Sequence, residues 1–197
     1  MKRKAMTTRE KILHATQLIL VEEGILAVTT NRIAARAEIN IATLYKHFPN
    51  KQSILAVLLK ELEDERIRHI SENAASITTN EAWISWGQEI VEAMTRFRKE
   101  RPTLKVLRSA VPLFEELREI DAQSSRDAAV AASQNIEGRT SAAKDEIIEF
   151  FELASHLVSH TLDAHSASED CFSHRLNALE GMLAGSYEYL KQLSKSS

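Results

Sequence analysis

The chain has 197 residues, with 25 Lys/Arg against 28 Asp/Glu, 5 Gly, 3 Pro and one Cys. That length suits one core of ordinary size, or a small module attached to a larger one, and excludes a solenoid or a multidomain enzyme. Scarce Gly and Pro beside abundant Ala, Leu, Ile, Glu, Lys and Arg predict an all-α fold, the lone Cys171 excludes an intramolecular disulfide, and the absence of an apolar run near ~20 residues or of a signal-type start after Met-Lys-Arg-Lys leads us to expect a cytoplasmic protein with no membrane partner.

The first helix opens on a capping box, Thr7-Thr8-Arg9-Glu10, carries Ile12, Ala15, Ile19 and Leu20 at helical spacing, and stops at Gly24, a residue suited to the left-handed conformation that closes many helices. A short second helix follows Thr29-Thr30 with Ile33, Ala34 and Ala37 on one face. Asn40 can cap a third, whose inward residues are Leu44 and Phe48. Two short helices joined by about three residues have the spacing of a helix-turn-helix. Pro49-Asn50 starts a fourth helix with Ile54, Leu55, Leu58, Leu59 and Leu62 as its stripe, reaching Ile70 or Ala74. After a Ser/Thr/Asn loop at 76–80, a fifth runs from Glu81 to about Lys99 with Trp83, Trp86, Ile90, Met94 and Phe97. Pro102 introduces a short sixth, and Pro112 is placed to start a seventh that ends near Gly138.

The last two helices span roughly 142–163 and 168–193. Phe172, Leu176, Leu179, Leu183, Tyr187 and Leu190 make one stripe of the final helix, while Ala178, Gly181, Met182, Gly185 and Tyr189 lie opposite. A helix apolar on two sides is buried on both. A homodimer through these two helices would satisfy the second, small-residue face, as would a central position in a monomer. The chain thus divides into about nine helices, with domains at 1–52 and 53–197.

Charge is uneven. Residues 1–51 hold nine Lys/Arg and four Asp/Glu, and the remainder sixteen and twenty-four. A basic end on an acidic body fits an anionic partner for that end, although a solvated basic tail has the same composition. The segment 29–51, T-T-N-R-I-A-A-R-A-E-I-N-I-A-T-L-Y-K-H-F-P-N-K, narrows the choice. With Ile33, Ala34, Ala37, Ile39, Leu44 and Phe48 turned inward, it leaves Ile41, Ala42, Thr43, Tyr45, Lys46 and His47 at the surface or rim. Small side chains at Ala42 and Thr43 would let the helix enter a major groove, and Tyr45, Lys46, His47 and Lys51 can reach phosphates or base edges.

Together with R-E-K-I-L-H-A-T and Gly24 upstream, this segment resembles the DNA-binding domain of the TetR/AcrR family of bacterial transcriptional regulators over about the first 60 residues. The resemblance implies a double-stranded DNA operator bound by a dimer, with contacts from Thr30, Asn40, Ile41, Ala42, Thr43, Tyr45, Lys46, His47 and Lys51. Two positions depart from the family. Glu38-Ile39-Asn40 replaces a turn that usually reads Gly-Val-Ser, so Glu38 is expected to bear strain, and Ile41 stands where polar residues are common.

The resemblance further implies a C-terminal helical domain that dimerises and binds an unidentified small-molecule effector, which lowers operator affinity by preferring a conformation with wrongly spaced reading heads. The fourth helix, continuous from Lys51 into the core, is the expected lever. Candidate effector residues are Trp86, Met94, Phe97, Phe114, Phe151 and His156, with Trp83 and Phe150 as further large side chains and Arg96 and Arg108 as anion partners. No cofactor is expected. His156 and His160 with His165, Cys171 and His174 allow a metal-sensing alternative, or simply a solvated face. No phosphate loop, nucleophile elbow or metalloprotease helix occurs, so no enzymatic activity is expected. A sequence-independent DNA binder of the same fold is the remaining rival.

Overall fold

The computed structural model describes residues 5–72, 79–134, 136, 143–163 and 169–193. Nine α-helices and two 3-10 turns account for the regular structure among them. They are α1 (Thr8–Glu23), α2 (Thr30–Arg36), α3 (Ile41–His47), α4 (Lys51–Glu72), α5 (Asn80–Glu100), α6 (Pro102–Ala110), α7 (Glu115–Ser133), α8 (Lys144–Asp163) and α9 (Glu169–Leu193). The expected all-α class and helix order hold. The chain condenses into two units that are discontinuous in sequence: residues 1–63 with 101–121, and residues 64–100 with 122–197. The boundary read from sequence at 52/53 therefore falls inside the first turn of a helix, α4, and the first unit recruits a later segment that local patterning does not reveal.

In the first unit the Thr7 side chain accepts from the Glu10 amide at 3.2 Å while the Glu10 carboxylate accepts from the Thr7 amide at 2.7 Å, the expected reciprocal cap of α1. Ile12, Ala15, Ile19 and Leu20 are buried, and so is Thr16, whose hydroxyl donates to the Ile12 carbonyl at 2.8 Å. Gly24 ends α1, but with φ 80° and ψ 177°. This extended left-handed region is essentially reserved for glycine and differs from the helical left-handed conformation that its position suggested. Its amide still reaches the Leu20 carbonyl at 3.1 Å, and the extended ψ turns the chain into the 3-10 turn Ile25–Ala27.

Leu104, Leu107 and Ala110 of α6 are buried in this unit, with α6 packed on α1. Pro102 occupies the first turn of α6, as expected, whereas Pro112 lies in a second 3-10 turn, Val111–Leu113, and α7 starts only at Glu115. Phe114 explains the delay: its extended backbone (φ −134°, ψ 131°) interrupts the helical path. One charged cluster is enclosed. Glu63 is 2% exposed and its Oε1 lies 2.9 Å from Nη1 of Arg108, which also donates to Asp121 Oδ1 at 2.9 Å. This joins α4, α6 and the start of α7 through charges largely withdrawn from water, so each carboxylate offsets the desolvation of the guanidinium.

The second unit is built around aromatic rings. Trp83 and Trp86 of α5 lie 5.5 Å apart by ring centroids, and both lie 5.8 Å from Phe151 of α8. Trp83 also donates from Nε1 to the Leu183 carbonyl at 2.6 Å, tying α5 to α9. Val91, Met94, Ala128, Ala132, Ile147, Ile148, Leu179 and Leu190 complete the core. In α9, Leu179 and Leu190 of the expected stripe are buried and Leu176 and Leu183 half-buried, while the side chains of Phe172 and Tyr187 lie outside those described. The opposite face, Ala178, Gly181, Met182, Gly185 and Tyr189, is exposed in the single chain. Gly138, the expected end of α7, also lies outside the described residues; α7 ends at Ser133.

An ideal Cβ at Gly24 would meet no atom within 4 Å, so Gly24→Ala isolates the torsional term; it should lower unfolding free energy by about 1–3 kcal/mol, read as a lower urea midpoint at unchanged slope. Glu63→Ala, which removes one carboxylate from Arg108, should cost about 3 kcal/mol, and the double variant Glu63→Leu with Arg108→Met should recover most of that loss in the same assay. Equal losses in the single and double variants would show that the charges themselves do not set the cost.

Candidate nucleic-acid interface and interior cavity

The exposed face of α3 follows from how its two ends are fixed. Asn40 caps the helix, its Oδ1 accepting from the Ala42 amide at 2.7 Å. Leu44 and Phe48 are buried, and their placement rotates Ala42, Tyr45, Lys46 and His47 to the surface, with Ile41 and Thr43 half-buried at the rim. Upstream, α2 ends in a turn of only three residues. The Glu38 amide donates to the Ala35 carbonyl at 3.2 Å and the Ile39 amide to the Ala34 carbonyl at 3.0 Å, the paired bonds of a Schellman motif. That motif needs a left-handed residue at its centre, and Glu38 supplies it with φ 55°. The strain expected at Glu38 is therefore located at a single backbone torsion, of about 1 kcal/mol relative to glycine.

All nine residues singled out for DNA contact fall in or beside this unit's α2–α3–α4 segment. Thr30 begins α2 and its Oγ1 lies 3.2 Å from the Tyr45 hydroxyl. Sequence reading missed this pair; the residues are fifteen apart, and neither hydroxyl carries a local signal of its partner. A phenol both donates and accepts, so the bond orients Tyr45 across the start of α2 and leaves hydrogen-bonding capacity for a phosphate. Lys51 is half-buried. Its ammonium donates to the Val28 carbonyl at 3.4 Å and stands 5.7 Å from the centroid of Phe114. Two other cations are neutralised within the unit: Arg36 pairs with Glu22 at 2.7 Å, and Arg32 pairs with Glu23. Lys46 and His47 are exposed at the end of α3, while Lys2, Arg3 and Lys4 of the basic start lie outside the described residues.

The second unit contains a cavity that is partly open to solvent. Trp86, Met94 and Phe151 of the expected effector residues line it, together with Trp83 and Phe150. Three others do not. Phe97 is buried outside its wall, Phe114 belongs to the first unit beside Lys51, and His156 is exposed on α8. The arginines differ as well. Arg96 is exposed and Arg108 is enclosed in the first unit, whereas Arg66 and Arg98 line the cavity. Arg66 donates to the Ser124 hydroxyl at 2.8 Å and Arg98 Nε to Asp163 at 3.0 Å. Nothing in the local sequence separates these arginines from solvated ones, because only the packing of distant helices brings them inward.

His156 and His160 are both exposed on α8. Among the described residues no group of three His, Cys, Asp or Glu side chains is placed to hold a metal; His165 lies outside them, and so does the side chain of Cys171. No described helix is long and apolar enough to cross a membrane.

Comparison with known proteins agrees with this geometry. The family described as "Bacterial regulatory proteins, tetR family" matches residues 12–58. The chain is 37% identical over 59 residues to the uncharacterized HTH-type transcriptional regulator YvkB of Bacillus subtilis, covering 30% of this chain and 31% of YvkB. It is 27% identical over 117 residues to the nucleoid occlusion factor SlmA of Pasteurella multocida, covering 58% of this chain and 57% of SlmA. The chain therefore spans about a third to just over half of the length of these curated relatives. Among solved structures, the transcriptional regulator SCO7518 of Streptomyces coelicolor has a TM-score of 0.67 at 18% identity, covering 87% of this chain and 95% of that one, a likeness of fold. The match at 12–58 takes in most of α1, the strained turn, all of α3 and the first two turns of α4, and over that segment the chain is similar to the tetR family of bacterial regulatory proteins.

Proposed function

We propose that this protein is a transcriptional regulator that binds a palindromic DNA operator as a homodimer, reads it with α3, and releases it when a small molecule fills the cavity of the second unit. The observation that carries the reading is the exposed Ala42, Tyr45, Lys46, His47 face on a helix whose other side is locked into a core. A surface of small residues next to a phenol, an ammonium and an imidazole has no packing role, and it has the shape and polarity that a major groove accepts. Phosphate contacts would come from Tyr45, Lys46, His47 and Lys51, with Thr30 and Asn40 at the helix starts, and base-edge contacts from Ile41, Ala42 and Thr43. Such a ligand places the work of the protein in the cytoplasm.

Dimerisation is supported by the outer faces of α8 and α9. Leu153, Met182 and Tyr189 are 69%, 62% and 54% exposed, with Ala178, Gly181 and Gly185 between the larger side chains of α9. Small residues let a second backbone approach closely, and the isologous pairing of one such surface on itself gives the two-fold symmetry that a palindrome requires. The effector role of the cavity is supported by its apolar lining in a unit that holds none of the nine candidate DNA residues. Release then needs only a ligand that favours the conformation in which the two reading heads mismatch successive grooves.

Selection of bound fragments from genomic DNA tests the reading directly. A short palindrome held ~10³-fold or more above random DNA is the expected result, and enrichment no better than random fragments would replace it with sequence-independent binding. Tyr45→Ala should weaken operator binding about tenfold while leaving the thermal midpoint nearly unchanged, and Lys46→Ala should weaken binding to all sequences and reduce the salt slope by about one phosphate contact. Gly185→Glu should convert a dimer to a monomer in sedimentation equilibrium and lose operator affinity with it.

A further inference from the structure

The wall of the second unit's cavity is uneven in chemistry. Trp83, Phe150, Phe151 and Met94 make most of it apolar, and its lining includes no Asp or Glu. Several of its polar groups are already committed: Trp83 Nε1 donates to the Leu183 carbonyl, Arg66 to Ser124 and Arg98 to Asp163. Others are not. Among them, the Nε1 of Trp86 on α5 and the Oγ of Ser155 on α8 are buried without a hydrogen-bond partner, and Trp86 as a residue is only 8% exposed. An indole N–H can only donate, and a serine hydroxyl can donate as well. Leaving a buried donor unmade is costly, so each of these groups marks a part of the wall at which an acceptor atom gains and an apolar or cationic atom does not.

We propose, resting on the reading of this cavity as the effector site, that its ligand is an apolar molecule bearing one hydrogen-bond acceptor, a carbonyl or carboxylate oxygen taken by Trp86 and Ser155. The apolar body packs against the Trp83, Phe150 and Phe151 rings. Sugars and other polyols are disfavoured because their remaining hydroxyls would be buried against rings without partners. Cations are disfavoured twice over, since the wall presents two guanidinium groups and no carboxylate.

The chain's two tryptophans both line the cavity, so intrinsic fluorescence of the whole protein reports its occupancy without DNA. Three probes that share a phenylbutyl body separate the possibilities: 4-phenylbutan-2-one, 4-phenylbutanoate and 4-phenylbutylammonium. The ketone and the carboxylate are expected to bind, with the ammonium at least about tenfold weaker. Ser155→Ala, which removes only an oxygen, and Trp86→Phe, which leaves Trp83 as reporter, should each weaken the ketone and carboxylate about three- to tenfold. Binding of the ammonium as tight as the others, failure of both acceptor probes to bind, or unchanged affinity in both variants would overturn the proposal. Adding the same probes to the operator complex separates it from the reading beneath it. Probes that bind in the expected order but leave the DNA bound would refute the effector role alone, and release of DNA by the ammonium as readily as by the ketone would refute the acceptor preference alone.

Discussion

Between Ala37 and Asn40 the chain reverses within three residues, and every side chain that α3 presents to solvent depends on how that reversal is made. The two Schellman hydrogen bonds to Ala34 and Ala35 close α2, and they can form together only if one residue adopts a left-handed conformation. Here that residue is Glu38. A glycine would adopt it at no torsional cost, so the motif persists because the bonds and the burial of Leu44 and Phe48 beyond it outweigh about 1 kcal/mol of strain.

The two units hold themselves together by different means. In the first, apolar side chains from short helices surround a small core, and one enclosed charge cluster, Glu63 with Arg108 and Asp121, ties the late segment 101–121 to α4. Such a cluster adds little net energy compared with a well-packed apolar replacement, but it tolerates only one arrangement because any other strands a charge away from water. In the second, the helices meet through rings, and edge-to-face packing such as that of Trp86 on Phe151 at 90° contributes directional preference beyond area burial. A cavity with unpartnered polar atoms, Trp86 Nε1 and Ser155 Oγ among them, coexists with an otherwise dense core.

Charge at the reading surface is arranged sparingly. Four acidic residues share the first 51 positions with nine basic ones, and two of the acids, Glu22 and Glu23, are spent on Arg36 and Arg32. Within the described residues, Lys46 at the end of α3 keeps its exposure.

Much of the first unit could be read from neighbouring residues alone. Thr7 with Glu10, Asn40 with the Ala42 amide, Gly24 and the Ile/Ala/Leu spacing are all interactions within one or two helical turns, and local chemistry is what sequence spacing encodes. The helix order and the α3 face followed from the same signals. The adoption of segment 101–121 by the first unit, the Thr30–Tyr45 bond, the burial of Glu63, and the placement of Arg66 and Arg98 rather than Arg96 and Arg108 on the cavity wall did not. Each joins residues far apart in the chain, and charged side chains on amphipathic helices look alike until the partners packed against them are known. The sequence by itself determined which segments are helical and which face of α3 is left bare; the start of α7, which arginines enter the core, which rings enclose a cavity and which donors are left waiting there were decided only when distant helices packed.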